Sequence, residues 1–255
     1  MSQGLDDVIA AETRLSSVDG AHGILVIKGF SLDQIAGQKS FEDVAWLLFG
    51  GLFDDLPDAH TFAVQLGQAR REMFGLVHYI DDGILALPPM DGVRAIMARI
   101  ADGEDLATAT RLLAAPAVLL PAFLRLRDGQ APLAPDPRRG HAADMLHMLN
   151  GQVAAPETVS ALDTYLVTVA DHGLNASTFA ARVVASTWSG LTSSVLAGLA
   201  ALKGPLHGGA PGPIIAMLDG PPYLQGARSA RRRAESRRPA HGQRLESAAR
   251  TPEAG

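Results

Sequence analysis

Two histidines stand where a ligand could reach them. His172 lies in Asp171–His172–Gly173–Leu174–Asn175–Ala176–Ser177–Thr178, at the point where a helical pattern begins. A helix N-terminus presents unpaired N–H groups and a partial positive charge, which suits a carboxylate ligand. His172 and Asn175 add hydrogen-bond donors there. His207 precedes Gly208 and Gly209 in a Pro205–Leu206–His207–Gly208–Gly209 loop, and glycines let a ligand approach the backbone closely. An imidazole in that setting is a candidate general acid or base, or a donor to a carbonyl. A third group, His141, Asp144 and His147, has the three-residue spacing of a metal site. On a helix, however, His147 falls about 240° around from His141. The three therefore do not converge, and a structural or surface role is expected.

The elements that must position these residues read as helices, apart from one short strand. Ile24–Leu25–Val26–Ile27, between Gly23 and Lys28–Gly29, is that strand. Ser31–Gln38 reads as a short helix ended by Gly37. Ser40 caps Phe41–Phe49, with Asp43 at the capping-box position, and Gly50–Gly51 ends that helix. A helix is expected from Asp58 to about Tyr79, with Phe62, Leu66, Ala69 and Met73 inward. Asp91 is expected to cap a helix reaching Ile100. Asp105–Arg127 is strongly apolar, with Pro116 and Pro121 expected to start or kink segments. After the Pro-rich loop 129–137 come helices over His141–Leu149 and Pro156–Val169. Asn175–Leu202 reads as the longest helix, central and well buried, with Trp188 on its apolar stripe. Such a helix, straight, would span ~42 Å at ~1.5 Å per residue and keep His172 from His207. Gly190 and Ser193–Ser194 mark where it could bend. A further helix is expected over Pro211–Leu218.

Composition narrows the class. The 255 residues are 47% hydrophobic and 19% charged, with a formal net charge of −5, enough apolar material for a substantial core. With no cysteine, disulfides, thiolate metal sites and cysteine nucleophiles are excluded. No uninterrupted apolar run of spanning length occurs, and the acidic start lacks a secretory apolar region, so a cytoplasmic protein with no membrane partner is expected. Residues 221–255 hold eight Arg and three Glu with no apolar rhythm, whereas 1–220 carry an excess of acid. That tail is expected to be disordered. Its Arg228–Arg238 run lacks interleaved aromatics, and no nucleic-acid partner is expected. Dinucleotide, P-loop, nucleophile-elbow and zinc-protease motifs are missing from the sequence.

The stretch DHGLNASTFAARVVAST, followed by ALKGPLHGGAPGP, resembles the citrate synthase family, including 2-methylcitrate synthases of the bacterial type, whose pattern is close to DHELNASTFAARV and LKGPLHGGA. Ala11–Glu12–Thr13, Val18–Asp19–Gly20, Ile27–Lys28–Gly29–Phe30, Phe41–Leu48 and Pro89–Met90–Asp91 are similar to the same family, so the likeness covers roughly residues 4–220. The resemblance implies an all-α fold with a short N-terminal β segment. It implies an acyltransferase that condenses acetyl-CoA with oxaloacetate to citrate and CoA, or uses propionyl-CoA in the methylcitrate variant. The acyl-CoA is a substrate and no cofactor is permanently bound. It further implies a homodimer paired through helices that include the one over Ala176–Leu202. His207 matches the histidine that hydrogen-bonds the acetyl-CoA carbonyl and stabilises the enol. His172 matches the histidine that binds the 2-oxo acid, and Asn175 an asparagine of the same pocket. A base aspartate, a histidine in a Gly-His-Arg-Val-Tyr-like motif and clamping arginines have no counterpart here, and His241 matches that motif poorly. The expected organisation is a partial helical domain over 1–220, truncated or read out of frame after about residue 220, and a tail over 221–255. A non-catalytic dimerisation fragment is the competing expectation.

Overall fold

A computed structural model describes residues 11–208. Met1–Gly204 forms one unit; of the second, Pro205–Gly255, the described part is the turn 205–208. The helix expected over Pro211–Leu218 and the tail 221–255 lie outside the described residues.

The first unit opens with a three-stranded antiparallel meander: β1 (Ser16–Asp19), β2 (Ile24–Ile27) and β3 (Phe30–Ser31), in that order. Ser16 pairs with Ile27, and Ile27 with Phe30. Lys28 and Gly29, both at positive φ (47° and 89°), make the two-residue reversal between β2 and β3, the geometry that suits the right-handed twist of paired strands. The Lys28 ammonium donates to the Gly50 carbonyl at 2.9 Å, which ties that uncommon conformation to the end of the next long helix. The helices follow: α1 (Leu32–Ile35), α2 (Phe41–Phe49), α3 (Ala59–Phe74), α4 (Asp82–Leu85), α5 (Pro89–Met97), α6 (Leu106–Arg127), α7 (His141–Asn150), α8 (Pro156–Thr168), α9 (Ala176–Ala185) and α10 (Leu191–Leu202). The all-α reading with a short β segment therefore holds.

Most starts are set by local chemistry. The hydroxyl of Ser40 accepts from Asp43 N–H and the Asp43 carboxylate accepts from Ser40 N–H, a complete capping box. Asp58 and Asp105 accept from the N–H groups three residues on, at Thr61 and Thr108. Three expectations change. Asp91 does not cap α5: Pro88 is the N-cap and Pro89 the first helical residue, because proline there sacrifices no hydrogen bond and has φ already set. The helix expected to reach Tyr79 stops at Phe74, and a 3₁₀ turn follows over Val77–Tyr79. Pro116 and Pro121 break nothing; α6 runs through both for 22 residues.

α6 is the hub. Its Ala114, Ala115, Val118, Leu119, Ala122 and Phe123 meet Leu66 and Met73 of α3 and Val93, Ile96 and Met97 of α5 in one buried cluster. Interior proline costs roughly 3 kcal/mol in helix propensity; the burial of most of the helix against its neighbours offsets that here. By length and composition α6 could cross a membrane, yet 67% of its apolar window is buried among neighbouring helices, which accounts for its composition. Close approach demands small residues: a Cβ at Gly92 would stand 2.4 Å from the Phe123 ring, and one at Gly67 2.3 Å from the Pro137 carbonyl oxygen.

A charged group is sealed beneath this core. Arg70 on α3 and Asp144 on α7 are 1% and 0% exposed and pair at 2.8 Å. The guanidinium also donates to the Arg139 carbonyl at 2.6 Å and faces His141 Nδ1 at 3.5 Å, and Asp144 accepts Asp136 N–H at 3.0 Å. The backbone N–H of His141 donates to Glu42 on α2 at 2.6 Å. His141 and Asp144 are thus structural, as expected, though in a buried network rather than on the surface. Burial first, and the Arg70 charge second, push the His141 pKa down to about 3. The unfolded ring titrates near 6.5, so the unfolded chain binds the extra proton between those values. Stability should fall as pH drops from about 6.5 toward about 3, by ~1.4 kcal/mol per pH unit from this group alone. Urea unfolding across that range measures the slope, and His141→Asn, which keeps an acceptor facing Arg70, is expected to lose it.

Candidate functional site

The residues 175–202 are not one buried helix. α9 ends at Ala185 and α10 begins at Leu191, with Trp188 at φ 60° and Gly190 at φ 91° in the reversal between them. The two pack antiparallel as a hairpin, with Gly198 of α10 beside the Ser177 carbonyl and the Ala181 side chain of α9. The apolar rhythm continues through the break because the facing sides of both helices keep the same period. Trp188, expected on the buried stripe, is 82% exposed. Asp102, in the α5–α6 connection, fixes the turn: it accepts from the N–H and hydroxyl of Ser193 at 3.0 and 2.7 Å. Those bonds, chiefly the one from the Ser193 hydroxyl, hold its carboxyl below the usual range. A Cβ at Gly190 would lie 2.5 Å from an Asp102 carboxylate oxygen, so the reversal admits only glycine. The straight helix expected over Asn175–Leu202 therefore does not form.

The structure brings His172 and Asn175 together. Asn175 is the N-cap of α9: its Oδ1 accepts Thr178 N–H at 3.0 Å and the Ser177 hydroxyl at 2.6 Å. Its Nδ2 points back to His172 Nε2 at 3.0 Å. The His172 residue is exposed and Asn175 half-buried, so the ring lies at the surface beside the first N–H groups of α9. The turn that carries it is pinned from the N-terminal sheet. Asp171 Oδ1 accepts Gly173 N–H at 2.8 Å and also the hydroxyl of Ser16 in β1. Gly173, standing where the family pattern has Glu, adopts φ 87°, with Val18 of β1 3.5 Å from where its Cβ would be. Ser16 is 155 residues from Asp171, and nothing in the sequence signals the pairing.

His207 lies half-buried in the turn after α10. The lysine that opens its motif, Lys203, makes a 2.5 Å ion pair with Asp91. That bond, more than Arg94 nearby, holds the Asp91 carboxyl below its ordinary value. Asp91, read as a cap, instead ties α10 to α5. Two open clefts lie elsewhere: one of about 610 Å³ on α8, along Pro156, Glu157 and Thr164, and one of about 290 Å³ beside Glu104, Trp188 and Leu191. Among the described residues, no three His, Asp or Glu side chains gather to hold a metal.

His172 and Asn175 thus lie together at the start of α9, in a mostly helical protein with a short β meander at its start. The fold and family expectations can be set beside known proteins. A family model described as citrate synthase, C-terminal domain, matches residues 4–233. Citrate synthase of Haloferax volcanii is 35% identical over 240 residues, 86% of this chain and 61% of that protein. The 2-methylcitrate synthase of Mycobacterium tuberculosis is 35% identical over 221 residues, 82% of this chain and 56% of that protein. The solved ternary complex of carboxymethyl coenzyme A and oxaloacetate with citrate synthase from Thermoplasma acidophilum superposes with a TM-score of 0.67 at 30% identity, covering 86% of this chain and 60% of that one. The chain belongs to the citrate synthase family, a family of acyltransferases. It spans about 61% of the length of the Haloferax relative it matches.

Ser16→Ala removes the hydroxyl that tethers Asp171. It is expected to lower stability by about 1–2 kcal/mol, the scale of a partly buried hydrogen bond to a charged group, and to speed amide exchange at Gly173. Chemical denaturation and hydrogen-exchange NMR read the two effects.

Proposed function

We propose that this chain supplies the 2-oxo acid and carbonyl-donor side of a citrate synthase site, for the condensation of acetyl-CoA with oxaloacetate to citrate and CoA. The observation that carries the reading is the His172–Asn175 pair at the exposed start of α9. It stands where the family motif has its oxaloacetate-binding residues. The ternary complex of the Thermoplasma relative, with a CoA analogue and oxaloacetate, supports the ligand pair.

In this reading the first N–H groups of α9 and the His172 ring receive a carboxylate of the 2-oxo acid, where the helix end favours negative charge. His207 donates a hydrogen bond to the thioester carbonyl oxygen. Loss of a methyl proton puts negative charge on that oxygen, so a donor held there stabilises the enol more than the ground-state thioester. The enol carbon then attacks the ketone carbon of oxaloacetate, and water cleaves the thioester to release CoA. The proton-abstracting carboxylate, the ketone-polarising histidine and the arginine clamp of the family are assigned to no residue here. Acetyl-CoA enters as substrate, with no resident cofactor and no membrane or nucleic-acid partner, in the cytoplasm.

Propionyl-CoA is the second acyl substrate to consider, because the Mycobacterium 2-methylcitrate synthase is as similar to this chain as the Haloferax citrate synthase. Calorimetry with oxaloacetate, and CoA release from acetyl-CoA or propionyl-CoA, test the assignment. Oxaloacetate is expected to bind, with affinity weakened ~10–100-fold in His172→Ala by loss of a charged hydrogen bond. CoA release supported by the chain is expected to fall ~10²–10³-fold in His207→Ala at unchanged oxaloacetate affinity. No oxaloacetate binding, or full CoA release in His207→Ala, would overturn the reading.

The homodimer is proposed on the same grounds. Phe179 and Val183 of α9, four residues apart, are 42% and 51% exposed, and Trp188 in the following turn is 82% exposed, apolar side chains that a second copy would cover. Sedimentation is expected to report twice the chain mass, and Trp188→Asp to shift the protein toward monomer.

A further inference from the structure

The geometry points to a tautomer lock: Asn175 fixes which nitrogen of His172 carries the proton. This inference rests on the reading of His172 as the 2-oxo acid ligand and goes further, because it assigns Asn175 a positioning role on the ring. An amide side chain has one acceptor oxygen and one donor nitrogen, and which is which is decided by the partners. Here the partners leave no choice. Thr178 N–H, a donor only, stands 3.0 Å from Oδ1 as the N-cap bond of α9, and the Ser177 hydroxyl donates to the same atom. The other end of the amide must therefore be the NH₂ group. It donates to the Gly173 carbonyl at 3.4 Å and faces His172 Nε2 at 3.0 Å. Two donors cannot share one hydrogen bond, so the neutral ring is an acceptor at Nε2 and carries its proton at Nδ1.

The lock is supported from both sides. The turn that presents the ring is held by Asp171, which accepts both Gly173 N–H and the Ser16 hydroxyl. The amide is held by the helix it caps. Capping and tautomer choice are therefore one event: as long as α9 is formed, Oδ1 is committed to the helix and Nδ2 to the ring. Which ring nitrogen can donate decides which ligand atoms the imidazole can meet.

Long-range ¹⁵N–¹H correlation spectra of the full chain with ¹⁵N-labelled histidine, on the neutral ring, test this directly. The wild type is expected to show a protonated Nδ1 and a bare Nε2 at His172. Asn175→Asp keeps an oxygen cap on α9 but turns an acceptor toward Nε2, and is expected to invert the pattern. Asn175→Ser keeps a cap and removes the group facing the ring, and is expected to give a mixture. Unchanged helix content in both variants separates the effect from unfolding. An Nε2–H ring in the wild type, or a pattern indifferent to Asn175→Asp, overturns the lock. Oxaloacetate, added to each protein, addresses the other question. It is expected to perturb the His172 resonances in the wild type and to bind about tenfold or more weakly to Asn175→Asp, the order set by one misplaced charged hydrogen bond. An inverted tautomer with no response to oxaloacetate in any protein leaves the lock standing and removes the substrate assignment; a response in the wild type with no inversion does the reverse.

Discussion

A guanidinium with almost no access to water joins α3 to α7. Once Arg70 is buried, its charge must be met inside the protein, and removing a partner from such a pair costs several kcal/mol. Its partners come from one stretch of chain some seventy residues on: Asp144 and the His141 ring of α7 and the Arg139 carbonyl just before it. The same Asp144 takes the Asp136 N–H, and Glu42 on α2 takes the His141 N–H. One charge therefore sets the approach of α2, α3 and α7 and the course of the loop before α7. The close seating of Gly67 against Pro137 follows from that loop being drawn in. Apolar packing around α6 supplies most of the burial; the polar network specifies the arrangement it is buried in.

The site depends on a second constraint of the same kind. Asp102 in the α5–α6 connection receives Ser193 and leaves room only for a glycine at 190, and this turns the chain back so that α9 and α10 form a hairpin. At the other end, Ser16 of the β meander and Asp171 hold the turn that presents His172. Lys203 and Asp91 then tie the end of α10 to α5. Each tie joins residues about ninety or more apart in the chain, and each is a hydrogen bond or ion pair to a carboxylate, the stronger class of such contacts.

What the sequence revealed follows from how local each cause is. Ser40, Asp58, Asp105 and Asn175 act within three residues, so the starts of their helices were legible, as was the apolar run of β2. β1 and β3 were not, because Ser16–Asp19 is mostly polar and exposed and Phe30–Ser31 is only two residues; pairing with β2 defines both. The proline rule misled at Pro116 and Pro121 because it weighs local propensity, whereas α6 is decided by burial against α3 and α5. The break at Gly190 was visible only as a glycine, since the carboxylate that requires it is at position 102. Within the candidate site, His172 and Asn175 were singled out by their place at a helix start and by motif. Asp171's bond to Ser16 had no local signature, and Asp91 was misread for the same reason: its partner, Lys203, is distant.

The construction of α9 explains why its ends carry so much of the burden. No residue of α9 is fully buried, so the helix gains little from the core around α6. It leans on α10 through Ser177, Ala181 and Gly198 and turns Phe179 and Val183 outward. A ten-residue helix is marginal in water by itself, so its N-cap amide, its pinned entry turn and its packing on α10 jointly hold it in register. The position of the His172 ring is therefore coupled to all three. The Asn175 amide is where they converge, because the same side chain closes the first turn of the helix and faces the imidazole.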